Sequence, residues 1–323
     1  MADVFAVLQQ NLGDTVKAGE LLVNHTNFKI GGPAKYFFAA RTTAELVKAI
    51  QVADELKLPF MLLGGGSNVL VSDAGYPGLV IVVRNNQWNI DGNIITADAG
   101  VSLGFLVQKT VAAGLTGFEP LVAVPGTVGG AVYGNAGLPQ AARGFIGDWV
   151  QEVVVCRQDK VVHVPKAECA FAYRESSFKH KPDVILSAGF KLELGDKVKS
   201  QELIKKYVGA RKGQPYHMPS SGCIFTNVLI KDAGEVRKKW KGEAKLDEFI
   251  ARGQLPASWL IDKVGLKGKT IGQVQVSHDH ANYLVNLGGA KAAEVVMMIS
   301  FIKQQVRDKY GVQLQEEVRY IGF

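Results

Sequence analysis

The sequence lacks several features that mark secreted, membrane-spanning or zinc-binding proteins. Among 323 residues there are only three cysteines, Cys156, Cys169 and Cys223, and no two have the C-x-x-C spacing of a zinc knuckle. No run of eighteen apolar residues occurs, and no basic segment followed by a long apolar run stands at the N-terminus. We therefore expect a reduced, cytoplasmic protein without disulfides, membrane insertion or a secretory signal.

The formal net charge is modest, at +7, and 47% of the residues are hydrophobic. Such a composition is typical of a soluble protein with a substantial core. The one basic run, residues 237–241, is interpreted as a solvated face. Because no dense, aromatic-rich basic patch is present, nucleic acid is not an expected partner, whereas ligands that carry phosphates suit the charge balance.

Hydrophobic spacing predicts a mixture of helices and strands, and thus an α+β fold. A capping box at Thr42–Glu45 begins one helix, and Gly114 and Gly311 end two others. The predicted strands lie at 60–63, 79–83, 150–155, 160–164 and 312–320, with 150–155 and 160–164 paired as a hairpin. After about Lys199 the chain becomes basic and helical, and residues 228–254, which are charged and poor in large apolar side chains, are interpreted as an inserted surface excursion.

A first glycine-rich loop, Gly64-Gly65-Gly66-Ser67-Asn68, leaves a predicted buried strand. Successive free N–H groups in such a loop can bind an anion, and the two polar side chains add donors. The loop is not a Walker motif, because no Gly-Lys-Ser/Thr follows. It is also not a Rossmann turn, because Val69 takes the place of the third glycine and β-prone residues follow. A tight turn between two strands, without a ligand, is the alternative.

A second glycine-rich loop holds five glycines within twelve residues, from Gly126 to Gly137. So little side-chain bulk favours a large, flat ligand lying against the backbone. The two loops together indicate an extended cofactor that carries a pyrophosphate. The candidate cofactor-binding residues are Gly64, Gly65, Gly66, Ser67 and Asn68 in the first loop, and Pro125, Gly126, Thr127, Gly129, Gly130, Asn135 and Gly137 in the second.

Six segments in the same order resemble the UDP-N-acetylenolpyruvoylglucosamine reductase family. They are residues 24–34, 64–68, 125–130, 173–176, 219–225 and 317–322. The resemblance implies a FAD-binding domain of the vanillyl-alcohol-oxidase type, made of subdomains 1–84 and 85–198, with residues 311–323 completing the first. It also implies an α+β substrate-binding domain over residues 199–310.

The activity that the resemblance implies is reduction of the enolpyruvyl ether of UDP-N-acetylglucosamine to UDP-N-acetylmuramate, for peptidoglycan. FAD would be the cofactor, bound non-covalently, and NADPH the second substrate. No histidine lies between His25 and His163, which argues against covalent attachment of FAD near the first loop. The expected partners are the UDP-sugar and NADPH, and a monomer is favoured.

The resemblance assigns the catalytic roles to Arg174, Cys223 and Glu317. Arg174, in Tyr-Arg-Glu-Ser, would clamp the substrate carboxylate through two parallel bonds, whereas by residue type alone a salt bridge with Glu175 is the simpler interpretation. Glu317 would point inward from the last strand while Glu316 faces solvent. Many relatives carry serine where Cys223 stands, and a thiol, with a reference pKa of about 8.5, is the stronger acid.

Asn227, Lys267 and His280 are the candidate substrate contacts, by register with the family. The pair His278 and His280 has the spacing of one strand face, but no third ligand is evident, so no metal site is expected. Two alternatives stay open. One is a FAD-dependent oxidase on the same scaffold, and the other is a non-catalytic protein that binds UDP-sugars.

Overall fold

The computed structural model describes residues 3–138 and 144–323. The helices are α1 Val4–Leu12, α2 Thr43–Glu55, α3 Leu103–Ala112, α4 Val128–Gly134, α5 Lys197–Gly209, α6 Ala233–Lys239, α7 Leu246–Ala251, α8 Ala257–Lys263 and α9 Ala292–Tyr310. The strands are β1 Lys17–Leu21, β2 Pro33–Ala40, β3 Phe60–Leu63, β4 Val69–Val71, β5 Tyr76–Val83, β6 Trp88–Asp91, β7 Ile94–Asp98, β8 Leu115–Thr116, β9 Val150–Arg157, β10 Lys160–Pro165, β11 Val184–Lys191, β12 Glu193–Leu194, β13 Val228–Leu229, β14 Gln254–Leu255, β15 Thr270–Ile271, β16 Val274–Val276, β17 Leu284–Asn286 and β18 Arg319–Ile321.

These elements form two compact units that share the chain. The first unit comprises residues 1–22, 33–67 and 75–212, and the second comprises 23–32, 68–74 and 213–323. Each has its own hydrophobic core. The α+β fold predicted from the spacing is confirmed.

The two largest sheets of the first unit differ in construction. In the four-stranded sheet, of order β1-β2-β5-β3, β5 pairs in parallel with both β2 and β3. Residues 78–83 of β5 are all buried, as expected for a strand inside a sheet that is covered on both faces. Helix α2 packs its apolar residues into the same core, and the Thr42 hydroxyl accepts a hydrogen bond from the Glu45 amide at its start. The helix after Thr42 and the strands at 60–63 and 79–83 are therefore confirmed.

The five-stranded sheet of the first unit, of order β10-β9-β11-β7-β6, is antiparallel throughout. Its β9–β10 hairpin turns at Gln158 and Asp159, which have φ values of +47° and +59°. Two consecutive positive φ angles are those of a type I′ turn, whose twist matches that of the strands. The hairpin predicted across residues 157–159 is confirmed.

The second unit is built around the long helix α9, which ends at Gly311 with φ +59°, as predicted. The strand predicted over 312–320 is wrong for most of its length: only 319–321 form a strand, β18, which pairs in parallel with β4. Residues 315–318 make isolated backbone contacts with residues 224–226. Hydrogen bonding to those partners, more than local β propensity, decides the conformation here.

Most residues of segment 228–254, which its composition predicts to be an inserted surface excursion, are exposed, and three are buried. Strands β13 and β14 close it at the base, and helices α6 and α7 lie between them. Three of its large apolar side chains, Trp240, Leu246 and Phe249, are buried, at between 5% and 7% exposed. Trp240 and Phe249 both make edge contacts with Trp259 of α8. The segment is thus part of the second core, because a small number of well-placed aromatic residues can bury much area.

Candidate functional site

The two glycine-rich loops lie against each other in the first unit. A Cβ added at Gly65 would lie 2.9 Å from the Gly126 Cα, and one added at Gly64 would lie 2.7 Å from the Thr127 Oγ1. The Ser67 hydroxyl donates to the Pro125 carbonyl at 3.1 Å, which ties the loops together. The glycines are therefore needed for close backbone approach between the loops, a requirement that exists before any ligand binds.

The first loop leaves a series of N–H groups available. Over the described ranges 3–138 and 144–323, the amides of Gly64 through Ser67 donate to no protein acceptor. Gly66 has φ +63°, so the amides turn through a left-handed residue. Consecutive unpaired amides in such a turn form a concave donor surface that suits an anion. This geometry supports the predicted phosphate-binding role of the loop.

The second loop uses its amides differently. It leads into α4, where the amides of Val128 and Gly129 donate to the carbonyls of Val101 and Ala99, at 2.9 and 2.8 Å. The Gly130 amide reaches the Thr127 hydroxyl at 3.5 Å. A Cβ on Gly129 would lie 2.7 Å from that of Ala99. These residues therefore fasten α4 to the end of β7.

Asn135 and Gly137 also hold the chain to itself. The Asn135 side chain, 4% exposed, donates to the Ala172 carbonyl at 2.7 Å and accepts from the Gly147 amide at 3.0 Å. A Cβ on Gly137 would lie 2.0 Å from the Gly144 carbonyl oxygen. Both side-chain ends of Asn135 are thus engaged within the protein, and this residue links α4 to the segment that carries Arg174.

Arg174 has an unusual backbone conformation, with φ +55°. Such a conformation costs a residue with a side chain about 1–3 kcal/mol and is concentrated at functional sites. Its guanidinium lies 6.0 Å from the centre of the Phe145 ring and 5.9 Å from that of Tyr173. The neighbouring Glu175 carboxylate contacts His180 at 3.0 Å and Lys179 at 4.0 Å. Arg174 is therefore held on an aromatic platform in a strained loop.

Cys223 and Glu317 lie on neighbouring extended segments of the second unit. Cys223 forms a bridge with Tyr283, and the next residue, Ile224, donates its amide to the Asn282 carbonyl at 2.9 Å. On the other side, the Glu317 amide donates to the Ile224 carbonyl at 2.7 Å. The thiol is half-buried, whereas Cys156 and Cys169 are buried. The structure therefore brings together two of the three predicted catalytic residues within one unit, and places Arg174 in the other.

Adjacent Glu316 has a separate environment. Its backbone bridges Phe225, and its carboxylate forms an ion pair with Lys303 of α9 at 2.6 Å. Glu316 lines a groove of about 590 Å³, and Tyr320 is another of its lining residues. Burial and, to a smaller extent, the charge of Glu316 raise the pKa of Tyr320 to about 12. The prediction that strand alternation turns Glu316 and Glu317 to opposite faces is wrong, because residues 316 and 317 are outside a regular strand.

The three predicted substrate contacts lie on different segments of the second unit. Asn227 donates to the Gln254 side chain and accepts from the Ala257 amide, both at 3.2 Å, at the base of the 228–254 segment. Lys267 is exposed and pairs with Asp262 at 3.3 Å. His280 makes an edge contact with Tyr283, the bridge partner of Cys223, at 5.0 Å between ring centres.

Residues 278–280 form a turn between β16 and β17. The expectation that His278 and His280 share one face of a strand is therefore wrong. The Ser277 hydroxyl accepts from the amides of Asp279 and His280, which fixes this turn. Within residues 3–138 and 144–323, no group of three or more His, Cys, Asp or Glu side chains could hold a metal ion.

Sequence reasoning missed two side chains that support the Cys223 segment. The buried Asn282 amide group exchanges two hydrogen bonds with the Phe225 backbone, at 3.0 and 2.8 Å. Gln214 accepts from the hydroxyls of Tyr283 and Tyr216, at 2.9 and 2.6 Å. Phe225 and Asn282 are 57 residues apart, and Gln214 and Tyr283 are 69 apart, so no local motif could signal either contact.

Comparison with known proteins defines the class first. Residues 34–164 match the FAD binding domain family, so the chain carries a flavin-binding domain. Residues 214–321 match the C-terminal domain of UDP-N-acetylenolpyruvoylglucosamine reductase. In the described residues no helix is long and apolar enough to cross a bilayer.

Similarity over the whole length then gives the family. The chain is 36% identical, over 309 residues, to the UDP-N-acetylenolpyruvoylglucosamine reductase of Solibacter usitatus, covering 95% of this chain and 97% of the relative. The relative from Prochlorococcus marinus is also 36% identical over 309 residues, covering 94% and 92%. The crystal structure of the Thermus caldophilus enzyme covers 95% of this chain and 98% of its own, with 31% identity and a TM-score of 0.75. The chain belongs to the UDP-N-acetylenolpyruvoylglucosamine reductase family, and the predicted resemblance is confirmed.

Proposed function

We propose that the protein reduces the enolpyruvyl ether of UDP-N-acetylglucosamine to UDP-N-acetylmuramate, a step of peptidoglycan precursor synthesis, with NADPH as the electron source. We further propose that it acts as a monomer in the cytoplasm. The observation that supports the proposal is the pairing of residues 224–226, which follow Cys223, with residues 315–318, which include Glu317, in the domain that matches the reductase family.

The first glycine-rich loop fits the pyrophosphate of FAD. Its unpaired amides supply donors, and the close contact of Gly65 with Gly126 leaves no side chain between the loops. Bound FAD would supply the two-electron chemistry that connects NADPH oxidation to substrate reduction. The protein supplies placement, charge and a proton.

Charge stabilisation falls to Arg174. Addition of a hydride to the terminal carbon of the substrate double bond develops negative charge on the other carbon and on the attached carboxylate. A guanidinium is always charged and can bind a carboxylate through two parallel hydrogen bonds. The aromatic rings of Phe145 and Tyr173 restrict its position, so little reorganisation is needed as the charge develops. By the family resemblance, Glu317 would polarise the enol–carboxyl region of the substrate.

The proton comes from Cys223. After hydride addition, the Sγ–H bond breaks and a C–H bond forms at the carbon next to the carboxylate, and the thiolate then regains a proton from water. A donor of this kind contributes typically about 10²–10⁴-fold to rate. Because serine can perform the same transfer, Cys223→Ser should keep activity while Cys223→Ala should lose it.

The test is a spectrum followed by a coupled assay. Protein purified with FAD should be yellow, and it should consume NADPH at a rate that rises when the enolpyruvyl UDP-sugar is added, with UDP-N-acetylmuramate as product. Air-dependent turnover of sugars or alcohols, with no response to the enolpyruvyl substrate, would favour an oxidase. A protein that cannot take up FAD would refute the proposal.

A further inference from the structure

We propose that Asn68 is a positioning residue for Glu317, an inference that rests on the proposed function. Asn68 is the last residue of the first glycine-rich loop, where its side chain is expected to help bind phosphate. In the structure its Nδ2 donates to the Glu317 carbonyl at 3.1 Å. Its own carbonyl accepts from the Arg319 amide, also at 3.1 Å. One residue therefore makes two hydrogen bonds across residues 317–319.

This pair of bonds fixes a short piece of chain between two anchors. Val318, which lies between the bonded residues, is 3% exposed, and its burial prevents the segment from shifting sideways. Immediately beyond, Arg319 is in register with Val69 at the start of the parallel pair β18–β4. Asn68 thus begins the pairing that attaches the C-terminal segment to residues 68–71.

Glu317 is consequently held on both sides of its Cα. Its amide donates to the Ile224 carbonyl at 2.7 Å, and its carbonyl accepts from Asn68. The first bond sets Glu317 relative to the Cys223 segment. The second fixes the peptide plane on the other side, so that the direction of the Cα–Cβ bond is determined. Since residues 317 and 318 are outside a regular strand, no ladder of backbone bonds does this instead.

The chemistry of the contact is specific for an amide. Aspartate has almost the same shape as asparagine, but it has no N–H and would turn a carboxylate oxygen towards the Glu317 carbonyl. The neighbouring Ser67 side chain, in contrast, donates to Pro125 of the second glycine-rich loop. Ser67 therefore belongs to the contact between the loops, while Asn68 belongs to the support of the catalytic carboxylate.

The experiment is a double-mutant cycle on FAD-loaded protein, with Asn68→Asp and Glu317→Gln singly and together. Two rates are measured: flavin reduction by NADPH, and the reaction of the reduced enzyme with the enolpyruvyl UDP-sugar. Misplacement of a reacting group can lower a reaction rate by about 10²-fold. Asn68→Asp should therefore slow the reaction of the reduced enzyme with the UDP-sugar by about 10- to 100-fold. Because Asn68 belongs to the loop that is predicted to bind phosphate, FAD affinity is measured separately and both rates are taken at saturating FAD, where the second rate should fall more than the first. In the Glu317→Gln background, Asn68→Asp should add little further loss, because contacting residues are coupled.

A matched control separates positioning from general weakening. Asn286 is buried in the same unit, and its side chain donates to the carbonyls of Phe28 and Lys29 at 3.0 and 3.1 Å. Asn286→Asp removes comparable bonds without touching Glu317, so its effect and that of Glu317→Gln should be additive. Thermal melting of each variant reports folding, and Asn68→Ala replaces Asn68→Asp if the latter does not fold.

Equal losses from Asn68→Asp in the wild-type and Glu317→Gln backgrounds would overturn the inference, as would a loss confined to FAD binding. A wild-type protein that fails to react with NADPH or with the UDP-sugar would instead overturn the proposed function.

Discussion

The two glycine-rich loops and the Cys223–Glu317 pair would contribute to the proposed function by different means. In the loops, the backbone would bind the ligand: the amides of Gly64 through Ser67 are unpaired among the described residues, and Gly65 approaches Gly126 so closely that no Cβ fits. Around Cys223, side chains would carry the chemistry, and hydrogen bonds from distant parts of the chain hold the segments that bear them.

This difference explains which substitutions each region should tolerate. A backbone site is sensitive to any added Cβ, because the volume beside the glycine is occupied by the other loop. A site built from side chains is sensitive to substitution mainly at the reacting group and at the residues that fix the direction of that group. The predictions below test this distinction, in order of decreasing effect.

Of the three predictions that compare these regions, the largest effect is expected at Glu317. Replacing it with glutamine removes the carboxyl group proposed to polarise the substrate, and loss of one electrostatic contact made in the transition state typically costs about 10²–10³-fold in rate. The control is Glu316→Gln, which removes only an ion pair with Lys303 near the surface, worth about 1 kcal/mol or less. Stopped-flow measurement of substrate reduction checks both. Similar losses in the two variants would mean that the adjacent glutamates are not functionally distinct.

A smaller effect is expected in the loops. Gly65→Ala should destabilise the contact between them by about 1–3 kcal/mol, the usual cost of overpacking, and should weaken FAD binding about tenfold or more. Gly134→Ala, in α4, is the control, because an added Cβ there has nothing within 4 Å. Titration with FAD, followed by flavin fluorescence, measures both affinities. An unchanged affinity in Gly65→Ala would show that loop contact does not determine binding.

The smallest effect is expected in the chemical reactivity of the three cysteine thiols. Burial, followed by the Glu168 charge, raises the pKa of Cys169 to about 11, and burial first also raises the pKa of Cys156. At pH 8 the reactive thiolate is therefore scarce at both positions, and at Cys169 it becomes abundant only as the pH approaches 11.

Iodoacetamide at about pH 8, near the reference pKa of a free thiol, should accordingly add one group per native chain, at half-buried Cys223, as measured by mass spectrometry. In denaturant all three cysteines should react. First modification at Cys169 or Cys156 would contradict the assigned environments.

Much of the first unit could be predicted from the sequence because its signals are local. The helix after Thr42, the β9–β10 hairpin and the glycine-rich loops each follow from neighbouring residues. Even so, the structural contacts of Gly129 and Asn135 could not be predicted, because their partners, Ala99 and Ala172, are distant in the sequence.

The second unit was less predictable because its site depends on long-range pairing. The contact between Asn68 and Glu317 joins residues 249 positions apart. The same dependence made the strand over 312–320 wrong in most of its length, since the pairing of 315–318 with 224–226 replaces a regular ladder. The average composition of the 228–254 segment did not indicate that Trp240 and Phe249 attach it to a core.

The most direct test of the account separates the two half-reactions in Cys223→Ala. FAD-loaded wild-type protein, Cys223→Ala and Cys223→Ser are first mixed with NADPH, and the reduced forms are then mixed with the enolpyruvyl UDP-sugar without oxygen. The account predicts flavin reduction at the wild-type rate in all three, and loss of flavin reoxidation by the UDP-sugar, about 10²–10⁴-fold, in Cys223→Ala alone. Reoxidation at the wild-type rate in Cys223→Ala would contradict it.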